Sequence, residues 1–182
     1  MNLLLNIGLF KIGWLACVMG AANNIALQGC LLALFVAAIS IRQSANSRVE
    51  ILFVAIVTLI GLLWETLVVS QQWMIYASHA VAPDRGVTLA PYWLVVMWLL
   101  FATTINHSLS WLVHKPLIAM VMGAVFGPMA FIAGEKLGAV VFVDQVAAML
   151  ALAVGWAILM PLVCAIAKVI NTKFAVANSL GN

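Results

Sequence analysis

Charge is what this sequence has least of. Asp, Glu, Lys and Arg make up 7% of its 182 residues and hydrophobic types 66%, where a soluble domain carries roughly a quarter charged residues. So few charges cannot clothe a surface that faces water, and the expectation is an integral membrane protein with no soluble domain. Close cysteine pairs are also missing. Cys17, Cys30 and Cys164 stand far apart inside apolar runs, which excludes the paired spacings of zinc and redox motifs and leaves three small apolar fillers. Neither a metal nor a cofactor is expected. The eight basic residues form no patch that could follow a phosphate backbone, so nucleic acid is not a partner. A basic leader is lacking too, and Lys11 interrupts what would be its apolar core. Gly20-Ala21-Ala22 has the size of a cleavage site, but the first segment reads as a retained helix.

What is present is a series of long apolar runs. A bilayer core takes about 20 apolar residues per helix, and helix is the open-ended structure that satisfies its own backbone in lipid. The runs fall at 3–22, 25–41, 50–70, 91–113, 116–134 and 139–168. They predict an all-α, polytopic membrane helix bundle of six transmembrane helices, one domain over residues 1–182. With both termini cytoplasmic, the inner segments carry Arg42, Arg48, Lys115, Lys168 and Lys173, and the outer ones only Arg85 and Lys136, as the positive-inside rule requires. Residues 71–90 form the outer loop. Trp73 and Tyr76, with Tyr92 and Trp93 just beyond, suit the headgroup layer, and Pro83-Asp84-Arg85-Gly86 is turn chemistry. The loop serves as a lid or as a plain linker.

The fifth run has a small face: Ala119, Gly123 and Gly127, then Ala130, Gly134 and Gly138 beyond Pro128. The sixth answers with Ala147, Ala151 and Gly155. Small faces let helix backbones approach closely in lipid, so these helices pack on each other, on a central neighbour or in a homo-oligomer. Pro128 removes a donor and frees the carbonyl of Ala124, which predicts a kinked fifth helix. Such a break suits a binding cavity and is equally ordinary as packing.

A charge at the centre of a span costs about 2.5–3.5 kcal/mol on insertion scales, so each intramembrane polar residue is a candidate site. At about 1.5 Å per residue, Glu65 lies about 7 or 8 Å below the outer end of its helix, with Asp144 and Gln28 at similar levels. Together with Lys136, Trp64 and Trp93 they compose a candidate outward-facing ligand pocket. Lys11, Asn106 and His107 form a deeper, inner polar layer. Thr103, Thr104, Ser108 and Ser110 extend it along one side of the fourth span, and His107 and His114 share a face. Glu65 and Lys11 are offset by roughly 10 Å along the membrane normal, so Lys136 or Arg85 is the better-placed cation for Glu65. Two carboxylates at one depth in low dielectric would share a proton. That suits an acid/base pair, a proton-coupled carrier or a cation site, and the bland reading is a hydrogen-bond network that fixes packing. Lys11 either meets an anionic headgroup or snorkels its amine inward.

The stretches "LLWE" in the third run, "APYWLVVMWLLFATTINHSLSWL" in the fourth and "GPMAFIAGEKLGAVVF" across the fifth and sixth resemble a family of small bacterial membrane proteins defined as a domain of unknown function. The matching positions are Trp64, Glu65, Pro91, Trp93, Trp98, Phe101, Gly127, Pro128, Gly134 and Gly138. The resemblance covers nearly the whole chain and brings no catalytic or binding role. It implies a bacterial inner-membrane protein encoded near lipid-modifying methyltransferase-like and oxidoreductase-like enzymes. Three functions follow as expectations. The first is binding or moving a lipid-like or small amphipathic molecule drawn from the membrane lipids. The second is a lipid-modifying enzyme with Glu65 and Asp144 as acid and base, and His107 as an alternative base. The third is a scaffold for partner lipid-modifying enzymes.

Overall fold

The structure, a computed structural model, describes residues 2–78 and 89–180, the last six of these as backbone only. The predicted turn Pro83-Asp84-Arg85-Gly86 lies outside the described residues. Six α-helices stand where six were expected: α1 (Leu3–Ala22), α2 (Ala26–Arg42), α3 (Ser47–Ser70), α4 (Tyr92–Ile105), α5 (Pro116–Lys136) and α6 (Gln145–Leu180). Two short strands, β1 (Met74–Tyr76) and β2 (Val140–Phe142), and a 3-10 turn at Ser110–Leu112 complete the described elements. Helix starts follow local chemistry. The Asn2 side chain accepts from the Leu4 amide, Asn46 accepts from Arg48 and Val49, and Pro116 opens α5 where no donor is needed.

The helices α1, α3, α5 and α6 are long and apolar enough to cross a membrane, and only 28–33% of their apolar windows is buried within the chain. The rest projects outward as Leu4, Leu117 and Val146, each more than 70% exposed. This is the surface of a protein solvated by lipid, because in water such a continuous apolar exterior would drive aggregation. The helix α2 has 17 residues and α4 has 14. At about 1.5 Å per residue α4 is roughly 21 Å long, short of a hydrocarbon core of about 30 Å.

That shortness corrects the expected span over 91–113. Thr103 and Thr104 turn their hydroxyls back onto the carbonyls of Leu100 and Phe101, each at 2.7 Å, and such local bonds compete with the helical ladder. The helix ends at Ile105, Asn106 occupies its C-cap, and the chain continues through turns into a 3-10 turn at Ser110–Leu112. His107 and His114 therefore share no helix face, and the polar side of the fourth span is a turn.

The sixth run is corrected at its start. Val140-Val141-Phe142 is β-branched and aromatic, composition that favours strand, and it pairs antiparallel with β1, Met74 opposite Phe142 and Tyr76 opposite Val140. Gly138, at φ +82°, turns the chain out of α5 into it, a conformation open to glycine without strain. The residues 71–78 are thus in part a strand, where an irregular loop was expected.

Packing divides the bundle into pairs. Helix α1 lies along α2 and α5 along α6, while the α3–α4 pair stands between them, α4 against α1 and α2, and α3 against α6. Helix α1 does not pack along α5, which leaves an aisle between them. The strand pair closes one end of the bundle. Ser78 Oγ donates to the Ala21 carbonyl at 2.8 Å, Trp93 Nε1 donates to Ala77 at 3.2 Å, and the Trp73 carbonyl accepts from Val143 and Asp144.

Glycines in the helices make room for tryptophans. Ala119, Gly123 and Gly127 are buried on α5, and a Cβ at Gly123 or Gly127 would overlap the backbone or the indole of Trp156 on α6. The small face of α5 packs on α6, as its spacing suggested. The answering position Gly155 faces elsewhere: a Cβ there would overlap the Trp64 ring of α3, just as one at Gly61 of α3 would overlap Trp98 of α4. Pro128 is buried within α5, and helix continues on both sides of it.

Overfilling such a seat forces the ring or the helix to move, at a typical cost of about 1–3 kcal/mol. Gly155→Ala is expected to lower thermal stability in detergent by that order. Trp64→Phe in the same chain should recover part of the loss, because the shorter ring vacates the contested space. An unchanged melting temperature in Gly155→Ala would refute the seating.

Candidate functional site

A cavity of about 560 Å³ fills the aisle. Helix α4 forms its floor with Leu94, Met97, Trp98 and Phe101; α1 supplies Phe10, Lys11 and Trp14; α5 and α6 supply Phe126, Phe131 and Trp156. The capped end is roofed by Tyr76, Trp93, Ala139 and Val140, and Glu65 enters from α3. Lys11, Leu15, Phe126 and Ala130 line the cavity and are also exposed. With α1 and α5 unpacked against each other, the opening is lateral, between those two helices.

Glu65 is 1% exposed. Its Oε1 accepts from the indole N–H of Trp98 at 2.9 Å, and its Oε2 has no hydrogen-bond partner among the described residues. Gly61 lies one helical turn before Glu65, on the same face, so Trp98 drops into the glycine's space and meets the carboxyl with its N–H. The same indole stacks on Trp156, centroids 4.8 Å apart and planes 12° apart, and Phe101 stands edge-on to both rings. The Trp156 N–H is buried without a partner.

Tyr76 closes the roof. Its ring meets Trp93 edge-on at 6.1 Å, and its hydroxyl has only the Met74 sulfur at 3.9 Å. Burial, and after it the negative charge of Glu65, push this phenol well above the ordinary tyrosine value. The hydroxyl therefore stays protonated, a donor within electrostatic reach of Glu65. An apolar-walled aisle with one carboxyl acceptor and one phenol donor at its closed end can hold a polar group there while its walls hold an apolar chain.

The structure brings three of the expected site residues, Glu65, Trp93 and Lys11, to this one cavity. Asp144, Lys136 and Gln28 are exposed and do not line it. Asp144 serves a different purpose: its Oδ1 accepts from the Ala147 amide at 3.0 Å and its carbonyl from Ala148, so it caps the start of α6. A helix start needs such an acceptor for its free N–H groups, and this claims the carboxyl that was expected beside Glu65. Trp64 lies at the α3–α6 contact on Gly155, its N–H unpartnered.

Asn106 and His107 belong to the opposite end. Asn106 donates to Glu50 Oε2 at 2.9 Å and accepts from Asn171 at 3.0 Å, while Asn6 accepts from the Ser108 amide and donates to the Thr103 carbonyl. Glu50 Oε1, Ser40 Oγ and His107 Nε2 are buried without partners. Lys11 joins none of these bonds, so the expected inner layer is divided between the cavity and this network. Sequence reasoning missed buried Asn6 and Ser40 and the charged residue Glu50, 4% exposed. Ser47-Arg48-Val49-Glu50 has the spelling of a capping box, which disguises it, although the cap is Asn46.

Asp144→Ala should lower thermal stability by about 0.5–2 kcal/mol, the usual loss of a helix cap. It should leave the affinity of any molecule held at Glu65 unchanged. A selective loss of that affinity without loss of stability would return Asp144 to the site.

No curated protein matches the chain, and no solved structure matches it. A family model described as "Protein of unknown function (DUF2878)" matches residues 3–162. The protein belongs to that family.

Proposed function

We propose that the protein binds, and hands on within the bilayer, a lipid-like or small amphipathic molecule held in the aisle between α1 and α5. The observation that carries this reading is a laterally open apolar cavity with a single buried carboxyl at its capped end. Its volume of about 560 Å³ lies within the range of roughly 300–1,000 Å³ occupied by small-molecule sites. A lateral opening lets a molecule enter from the hydrocarbon without carrying its chain through water. The strand pair covers the end that was expected to face outward, so the entrance belongs between helices.

The reading goes with six crossings in a bacterial inner membrane, residues 71–90 outside, the termini cytoplasmic and α5 bent at Pro128. Membrane lipids are then the natural source of the ligand. An acid/base mechanism on a lipid is less favoured, because Asp144 is committed to capping α6 and general acid–base work needs both groups within about 3 Å of the reacting atoms. The homo-oligomer reading relied on small helix faces, and the scaffold reading on those faces and on the missing catalytic motif; Gly123 and Gly127 are spent on contact with α6.

Ala130→Trp fills the open side of the cavity from a position that is already exposed, so folding should survive it. Native mass spectrometry from mild detergent is expected to find an amphiphile bound to the unmodified chain and missing from Ala130→Trp. An unmodified chain that carries no adduct, and whose melting temperature no membrane lipid raises, would refute the proposal.

A further inference from the structure

The chemistry of the closed end constrains what the aisle holds. Of the 27 residues that line it, Glu65 and Lys11 are the two with charged side chains, and nine are aromatic. Lys11 is exposed at the mouth, whereas Glu65 is 1% exposed at the capped end. The groups that face Glu65 are the Trp98 indole, already bonded to Oε1, and the Tyr76 phenol, neutral and held by the Met74 sulfur. Oε2 is free, and among the described residues no cation is bonded to this carboxyl.

A buried carboxylate with one neutral donor is poorly compensated, and a positive charge brought to it gains far more than a neutral hydroxyl would. Aromatic walls reinforce the preference, because ring faces attract cations once water is excluded. An anionic headgroup would stop at Lys11 in the mouth and leave Oε2 unanswered.

Resting on the reading above, we propose that the occupant is an amphiphilic ammonium, an amine or quaternary ammonium whose nitrogen sits against Glu65 Oε2 and whose hydrocarbon chain lies along the aromatic aisle. Its charge completes the pair that the described residues leave half made.

Three probes of one chain length test this in maltoside micelles, with tryptophan fluorescence as the readout: hexadecyltrimethylammonium, hexadecanol and hexadecanoate. The ammonium is expected to bind most tightly. Glu65→Gln keeps an acceptor for Trp98 and removes the charge, so it should weaken the ammonium roughly thirty-fold, the order of loss when one member of a buried charge pair is removed. Hexadecanol, which has no charge to pair, should lose far less on that variant than the ammonium does. Hexadecanol or hexadecanoate binding as tightly as the ammonium would overturn the charge inference and leave the amphiphile reading standing. Should Glu65→Gln fail to fold, the order of the three probes on the unmodified chain decides. Failure of all three to bind removes both.

Discussion

The Trp98 indole is the contact on which the rest of the bundle leans. Its ring occupies the space that Gly61 leaves on α3, its N–H holds Glu65 Oε1 at 2.9 Å, and its face carries Trp156 of α6. Trp156 in turn presses on Gly123 and Gly127 of α5. Trp98 and the Trp156 stacked on it thereby tie α3, α4, α5 and α6 together. Lipid supplies no hydrophobic force between helices, so association depends on close packing and on hydrogen bonds between them, and Trp98 supplies both at one point. Trp64 and Glu65, consecutive on α3, point about 100° apart around the helix. The first enters the seat at Gly155 on α6 and the second meets α4, so a two-residue stretch fixes α3 against both neighbours.

The same arrangement explains why an aisle survives. The bulky rings fill the side of the bundle where glycines admit them, and α4 and the strand pair stand between α1 and α5. A helix pair that cannot close on itself leaves a slot, and the slot inherits whatever the surrounding helices turn towards it. Here that is twenty apolar or aromatic side chains against two charged ones, and a carboxyl with a single neutral donor. Burying a carboxyl with half of its hydrogen-bonding capacity unmet costs stability. A packing role alone would be met as well by glutamine, whose amide can accept from Trp98 and present its own donor elsewhere.

Much of the fold could be read from hydropathy, because in lipid the length of an apolar run and the need for a closed hydrogen-bond ladder leave few alternatives. Six helices and the small face of α5 were legible for that reason. The end of α4 was not, since Thr103, Thr104 and Asn106 look like a polar helix face until their hydroxyls and amide find carbonyls and Glu50. The strands were hidden because three residues carry almost no periodicity, and Val140-Val141-Phe142 is as compatible with a helix as with a ladder. Asp144 could have been read: an aspartate immediately before a helical run is a cap more readily than a site. Depth placed Glu65 and Asp144 level, but depth says nothing about azimuth, and the two carboxyls lie in different surroundings.

Glu50 and Glu65, on one helix and both buried, show how surroundings separate two equal side chains. Glu50 is drawn into a chain of amides, Asn106 and then Asn171, that joins α3, the end of α4 and α6; that chain pins the end of the bundle opposite the strands. Glu65 receives one indole and faces open space. With the strand pair fastening α1, α4 and α6 at one end and the amide chain fastening the other, neither end of the aisle is free to part. On the proposed function, a molecule that reaches Glu65 comes through the side, past Lys11 and Phe126, and this route would admit from the hydrocarbon what the ends would exclude from water.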